Sequence, residues 1–342
     1  MARDFKQYAK STYQWEPGHK KHLRITKSSL TSDFDYCPKS YEYKRIHKLP
    51  EPGSDAMTKG TNVHDAIEGF YVNVVPYVQK AYDLLQANKR DEAMELFQKA
   101  LPVPEEPYVL GEQASIDSRL QMDLDRLLGD GVTRFLPIIN ELELHGFTDE
   151  TIEFNGETVT IPVHYAGMID RGFRTPEGSV ALMELKTGKW VQTFSGGHAR
   201  RDGVAAPQWR DSDFKVKSMR TEMMFYKKLL ELCDHEYQDV THWGWVYPSG
   251  DQVEVPAMNK YGYEQKSVNR IWYEPCTGRR HNDYAKKIRR MVDALLTAYL
   301  TDNFETSASQ GKCSYCSFKG ICPAWDGSDD PEEYRKAWEA EA

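Results

Sequence analysis

A mixed α/β fold is predicted by three features of this 342-residue chain. Strand-like segments separated by tight turns fill residues 151–186. Helix-period apolar stripes precede and follow them. One apolar run, Val180-Ala181-Leu182-Met183, ends abruptly in Glu184-Leu185-Lys186-Thr187-Gly188. Alternating patterns of this kind imply a central mixed sheet with helices on both faces.

The length suits one large domain with insertions, or two domains. Hydrophobic residues make up 40% and charged residues 28%, the balance of a globular protein. No apolar run approaches the length of a membrane span. The first residues, Met1 to Lys6, lack the apolar core of a secretory signal. The expectation is a cytoplasmic protein, or one working inside a host if viral, with no membrane association. A formal net charge of −8 argues against a uniformly basic nucleic-acid-binding surface, though not against a local basic channel. Basic residues gather at Arg200-Arg201, Lys215 to Arg220, Lys227-Lys228, Arg279-Arg280 and Lys286 to Arg290. Acids concentrate at 91–106 and 326–341.

In chain order, residues 1–28 read as an N-terminal arm without period. Ser28 to Phe34 looks like a capped helix start, because hydroxyl oxygens satisfy free amides at helix N-termini. Lys59-Gly60-Thr61-Asn62-Val63-His64 opens a helix with His64 in its first turn. Taken alone, such a histidine is more often a surface or core residue than a ligand. Residues of about 71–145 read as a helical insertion. It contains one helix over 81–100 and a second over 113–144, kinked at Pro137. Thr151 to Phe154 and Thr158 to Tyr165 flank Asn155-Gly156, a strong hairpin signal. The chain continues through Gly167-Met168-Ile169-Asp170, turns at 175–178, and re-enters as Val180–Lys186. Residues 187–217 read as a basic loop, 218–233 as a helix, 240–247 and 252–255 as strands, and 280–304 as a helix. Residues 326–342 are an acidic tail.

The meander sets Asp170 and Glu184 side by side. Strand alternation turns Glu184 and Lys186 the same way. Two carboxylates can hold a divalent cation, and a nearby ammonium can orient or deprotonate an attacking water or stabilise transition-state charge. That set suits metal-assisted phosphodiester hydrolysis, with the backbone carbonyl of Leu185 as a further ligand. E-x-K alone is common on exposed strands, so the motif needs its context.

These residues resemble the core of the PD-(D/E)XK nuclease superfamily. Gly60 to His64 resembles the helix-borne histidine of its RecB-type branch, which implies His64 as an additional metal ligand beside Asp170 and Glu184, with Lys186 catalytic. The cofactor implied is magnesium or manganese, and a nitrogen ligand suits the latter. That branch carries Q-x-x-x-Y on the helix after the catalytic strand. Here Glu222 replaces the glutamine and Tyr226 is present. The resemblance implies contacts to the DNA backbone from Tyr226, Glu222, Arg220 and Lys189. Arg220, Lys227 and Lys228 are candidates to offset the acid at 222. Trp190 is either a base-stacking platform or a residue packed beneath its loop.

Six cysteines are present, three of them within ten residues: Cys313, Cys316 and Cys322. In a long intracellular chain this is metal-ligand spacing and not a disulfide framework. Four thiolates suit either a cluster or tetrahedral zinc. Cys37-Pro38 upstream with Cys313, Cys316 and Cys322-Pro323 downstream resembles the iron–sulfur nucleases of the same branch, including CRISPR-associated and AddB-type exonucleases. This implies a [4Fe–4S] staple joining the two ends of a nuclease domain over 29–325, with zinc as the alternative. Cys233 and Cys276 read as small core residues. The implied protein is a metal-dependent DNA exonuclease acting on single strands or ends, with a recombination, replication or CRISPR-adaptation protein as partner. The alternatives are a non-catalytic DNA-end or partner-binding module on the same fold, and a zinc-stapled protein unrelated to nucleases.

Overall fold

A computed structural model describes residues 12–13, 22–49, 51, 55–195, 199–200, 203–204, 208–249, 257–258, 264–313 and 316–324. The chain begins with β1 (Thr12–Tyr13) and β2 (His22–Thr26), then helical turns over Ser29–Phe34 and α1 (Pro38–Tyr41). Five helices follow: α2 (Asp55–Asn73), α3 (Val78–Gln86), α4 (Arg90–Lys99), α5 (Leu110–Asp130) and α6 (Val132–Phe135). Next come β3 (Ile139–Phe154), β4 (Glu157–Arg174) and β5 (Val180–Leu185). The short strands β6 (Trp190–Ser195), β7 (Ala199–Arg200), β8 (Gly203–Val204) and β9 (Gln208–Asp211) lead into α7 (Asp213–Leu232). The chain continues through β10 (Val240–Tyr247), β11 (Gln265–Val268), β12 (Arg270–Pro275), α8 (Arg279–Thr301) and α9 (Gln310–Cys313).

The central sheet runs β1-β2-β4-β5-β10-β12, with β3 along the other edge of β4. It is mixed: β2 is parallel to β4 and β10 to β5, and the remaining pairs are antiparallel. β2 and β5 share one edge of β4. Leu23–Thr26 pair with Val163–Ala166, and Val180–Met183 pair with Arg171–Arg174. Residues 167–170 of β4 face neither strand, so the sheet splits there. Two apolar cores lie on opposite faces. One packs Met223, Leu230, Leu295 and Tyr299 of α7 and α8 against Val163, Leu182 and Trp243. The other packs Phe70, Phe97, Leu124 and Phe135 of the α2–α6 group against Phe173, Leu185 and Val246. Val180 and Leu182 enter the first core and Leu185 the second. That alternation explains the nearly continuous apolar run in β5, which is buried on both faces.

The hairpin at Asn155-Gly156 is present, with φ of 52° and 80°. It is far longer than the local strand signals suggested. The second long helix ends at Asp130, where Gly131 turns at φ 72°, and residues 139–144 are strand. Leu142 and Leu144 alternate with Glu141 and Glu143, a period of two that the preceding helical stripe obscured. The 81–100 helix is two helices, broken where Asn88 adopts φ 56°. α2 starts at Asp55, so His64 lies in its third turn. The N-terminal region supplies two sheet strands where an arm was expected, because β2 draws its hydrogen bonds from a distant partner. The supposed loop over 187–217 holds a second sheet, β11-β6-β9, and the start of α7. Arg201, the 252–255 strand and the 326–342 tail lie outside the described residues.

Gly244 sits where β10 is squeezed between β5 and β12. A Cβ there would lie 2.1 Å from the Trp272 carbonyl oxygen and 2.7 Å from Met183 Sδ. Backbone cannot yield cheaply, so Gly244→Ala should cost about 3 kcal/mol, read as a lower urea midpoint with an unchanged slope.

Candidate metal centre

The centre forms where the sheet splits. The pairs Asn140↔Arg171 and Leu142↔Ile169 set Glu141 opposite Asp170. The pair Arg171↔Met183 is the last of its ladder, and Glu184 lies one step beyond, beside Asp170. Three carboxylates from β3, β4 and β5 therefore form a row across the sheet. Asp170 Oδ2 accepts the Leu185 amide at 2.8 Å, replacing the ladder bond lost as β5 leaves β4. Glu141 adopts φ 54°, and Ile139, Leu142 and Leu144 all reach the same core. The strand alternation thus breaks at the residue that delivers the third acid.

α2 brings His64 over this row. Its Nε2 lies 3.1 Å from the Leu185 carbonyl oxygen, and its Nδ1 lies 3.8 Å from both Glu141 Oε1 and Asp170 Oδ2. Ligand atoms of His64, Glu141 and Asp170 lie within 4.8 Å of one another, a spacing suited to one cation. Glu141 is also fixed by Arg171 Nη1 at 2.6 Å.

Glu184 is 4% exposed, and its Oε1 accepts from Lys186 at 2.7 Å and from Lys27. Lys27 is the first residue after β2, so the parallel pairing of β2 and β4 carries it into the split. Both ammoniums also reach Glu222 Oε2 on α7, Lys186 at 3.1 Å and Lys27 at 3.4 Å. The Lys27 ammonium lies 5.0 Å from the centre of the Tyr226 ring. Glu184 Oε2 is buried without a hydrogen-bond partner. A buried carboxylate oxygen left bare calls for a cation, and His64, Glu141, Asp170 and Glu184 have the donor chemistry of a Mg²⁺ or Mn²⁺ site.

Electrostatics divides these groups. Burial would raise the Glu184 carboxyl, but Lys186 and Lys27 outweigh it and hold it at about 2. Burial and then the Glu184 charge push Asp170 up to about 6. Burial works against the charged forms of Lys27 and Lys186, yet Glu184 and Glu222 keep both above the ordinary lysine range.

The expected triad of Asp170, Glu184 and Lys186 is brought together, with His64 and the Leu185 carbonyl beside it. The residues nominated to contact DNA separate. Lys189 is exposed. Tyr226 and Glu222 are 3% and 6% exposed. Arg220 is turned aside into a two-point pair with Glu274, at 2.6 and 2.7 Å, and does not offset Glu222. Lys227 donates to the Val240 carbonyl and Lys228 pairs with Glu231, so neither offsets it either. Trp190 is fully buried against Tyr247 and Trp272, and its indole N–H donates to Asp211 at 2.6 Å. That leaves no ring face for a base. Cys276 is buried, as expected of a core residue.

At the far end of the first core, Cys37, Cys313, Cys316 and Cys322 line one cavity with Tyr43 and Phe318. The Ser307 and Phe318 amides each donate at 3.4 Å to a sulfur, of Cys37 and Cys316 respectively. Tyr36 and Lys312 exchange bonds across the gap, the hydroxyl to the Lys312 carbonyl at 2.8 Å and the ammonium to the Tyr36 carbonyl at 2.6 Å.

Residues 28–323 match the PD-(D/E)XK nuclease superfamily, and the chain belongs to it. No curated protein matches the sequence. Among solved structures, the crystal structure of SSO0001 is similar, with 14% identity over 94% of this chain and 95% of that chain and a TM-score of 0.32.

Above pH 6 the ionised Asp170 faces Glu184, so its share of stability is present below its unfolded value near 4 and lost as pH rises through about 6. A divalent cation removes that repulsion. Added Mn²⁺ should therefore raise the melting temperature at pH 7.5 and much less at pH 5. Glu141→Ala should weaken Mn²⁺ binding at least about tenfold by calorimetry.

Proposed function

We propose that this protein is a Mg²⁺- or Mn²⁺-dependent deoxyribonuclease, with exonucleolytic action on single strands or DNA ends as its finer activity. The observation that carries the reading is the buried, unpartnered Glu184 oxygen beside the His64–Glu141–Asp170 group. Asp170, Glu184, Glu141, His64 and the Leu185 carbonyl are the ligands. The chemistry a divalent cation supplies there is activation of water and neutralisation of phosphoryl charge. Lys186 is held by two carboxylates, so its ammonium is fixed in position to orient the attacking water and to stabilise charge on the phosphoryl oxygens. Lys189, exposed just past the catalytic strand, is placed to meet the phosphate backbone, a contact that adds affinity without reading sequence. The exonuclease reading rests on the order of cysteine, histidine, aspartate, E-x-K, tyrosine and cysteine motifs. A binding module without catalysis would rest on the acid at 222 and the net charge of −8. The pairing of Glu222 with two lysines supports the catalytic reading.

The same reading gives the four-cysteine cavity a [4Fe–4S] cluster, with zinc as the alternative ligand. The two N–H···S contacts would stabilise thiolate charge at Cys37 and Cys316. Its role is structural, joining the segment after β2 to the chain beyond α8.

End-labelled and circular DNA, single- and double-stranded, should be compared with Mg²⁺ or Mn²⁺. Wild type should degrade ends, and Lys186→Ala should lose at least about a hundredfold in rate. Endonucleolytic nicking of circles would overturn the exonuclease reading, and metal-independent cleavage the whole proposal. Anaerobically purified protein should be coloured and contain iron. Cys37→Ser should lose iron and melt lower, and a colourless, zinc-loaded wild type would decide for zinc.

A further inference from the structure

Lys27 was not foreseen as a site residue, and Glu222 departs from the glutamine of the motif. The two meet. Around Lys186, the chain of contacts runs Lys27, Glu184, Lys186 and Glu222, and it closes again on Lys27. Positive and negative groups alternate around this ring, and its formal charges cancel. Glu222 and Glu184 are 8% and 4% exposed at their side chains, so each needs a partner. The two lysines keep 18% and 24% of their side-chain surface and form the open side of the ring. Lys186 alone cannot neutralise both acids. Without Lys27, the ring would present a net negative charge where a phosphodiester must approach. Glutamine at 222 would not raise that problem.

We propose that Lys27 is a positioning and charge-balancing residue for the nuclease site. It offsets the acid at Glu222, so that this acid adds no net negative charge where Lys186 and Glu184 meet DNA. The device acts through Glu222 and Glu184, and Lys27 need not touch substrate. Its place in the fold fits this role. Lys27 enters the split between β2 and β5 only because β2 pairs in parallel with β4, and Tyr226, on the helix that carries Glu222, supplies a ring face for its ammonium. This inference rests on the reading of the site as a DNA-binding nuclease centre.

The test is a double-mutant cycle on the full chain, read as binding of a fluorescent single-stranded oligonucleotide in EDTA across a salt series. Lys27→Met should weaken binding about tenfold at low salt, because an uncompensated acid faces phosphate. Glu222→Gln should tighten it. The double variant should return to within about threefold of wild type, since both charges leave together. The thermal midpoint should follow the same pattern, lowest in Lys27→Met and recovered in the double variant. If Lys27→Met does not fold, Glu222→Gln and the double variant still decide. A double variant that binds as weakly as Lys27→Met, or a Glu222→Gln that binds no tighter than wild type, overturns the inference while leaving the nuclease reading in place. Failure of folded wild type to bind or cleave DNA overturns both.

Discussion

Three carboxylates in a row across one sheet, two buried and one half-buried, are the constraint on which this structure depends. Glu141, Asp170 and Glu184 come from three successive strands at neighbouring register positions, and Asp170 and Glu184 are buried in a low-dielectric core. Unbalanced, such charges would be expelled or protonated. Arg171 holds the first, a backbone amide and His64 the second, and two lysines the third. The partners arrive from four elements, so α2, β2, β4 and β5 must all be in place for the row to exist. The split in the sheet follows from the same requirement. A continuous β4–β5 ladder would bond the Leu185 amide and leave no space for ammonium groups.

The split also explains the layering. Above and below it, β4 has full partners and two apolar cores can form. The α7–α8 face carries Glu222 and Tyr226 to the site, and the α2–α6 face carries His64. The helical group is held by its own buried network, in which Arg119 bonds Asp123 at 2.9 Å and the Tyr71 hydroxyl at 2.7 Å. It therefore offers α2 a firm support. Ser249 adds a tie beyond β5, bonding the Thr187 carbonyl at 3.1 Å and Ser115 of α5 at 2.8 Å.

Much of the site was legible because its chemistry is carried by local patterns. An apolar strand ending in E-x-K, an acid one turn earlier in the meander, and a histidine after Gly-Thr-Asn are all short-range signals. Glu141 was hidden because the apolar stripe before it reads as helix. The hairpin contained the missing clue: counting outward equally from Asn155-Gly156 pairs 141 with 170. Lys27 had no such clue. Its position depends on parallel pairing between segments far apart, which no periodicity encodes. Arg220, and the stacking role of the two open to Trp190, fall away as DNA contacts for the opposite reason. Their residue types suit nucleic acid, but Asp211 and Glu274 claim them within the fold.

The pairing of β2 with β4 has a consequence for how the protein is made. Leu23 pairs with Val163, a separation of 140 residues, and Cys37 shares its cavity with cysteines beyond residue 310. During synthesis β2 must wait for its sheet partner until β4 has emerged, and the cysteine cavity closes only after Cys322 has been made. Local helices such as α3–α5 can form early, whereas the metal centre cannot. A chain released before β5 is made lacks Glu184 and cannot complete the acidic row.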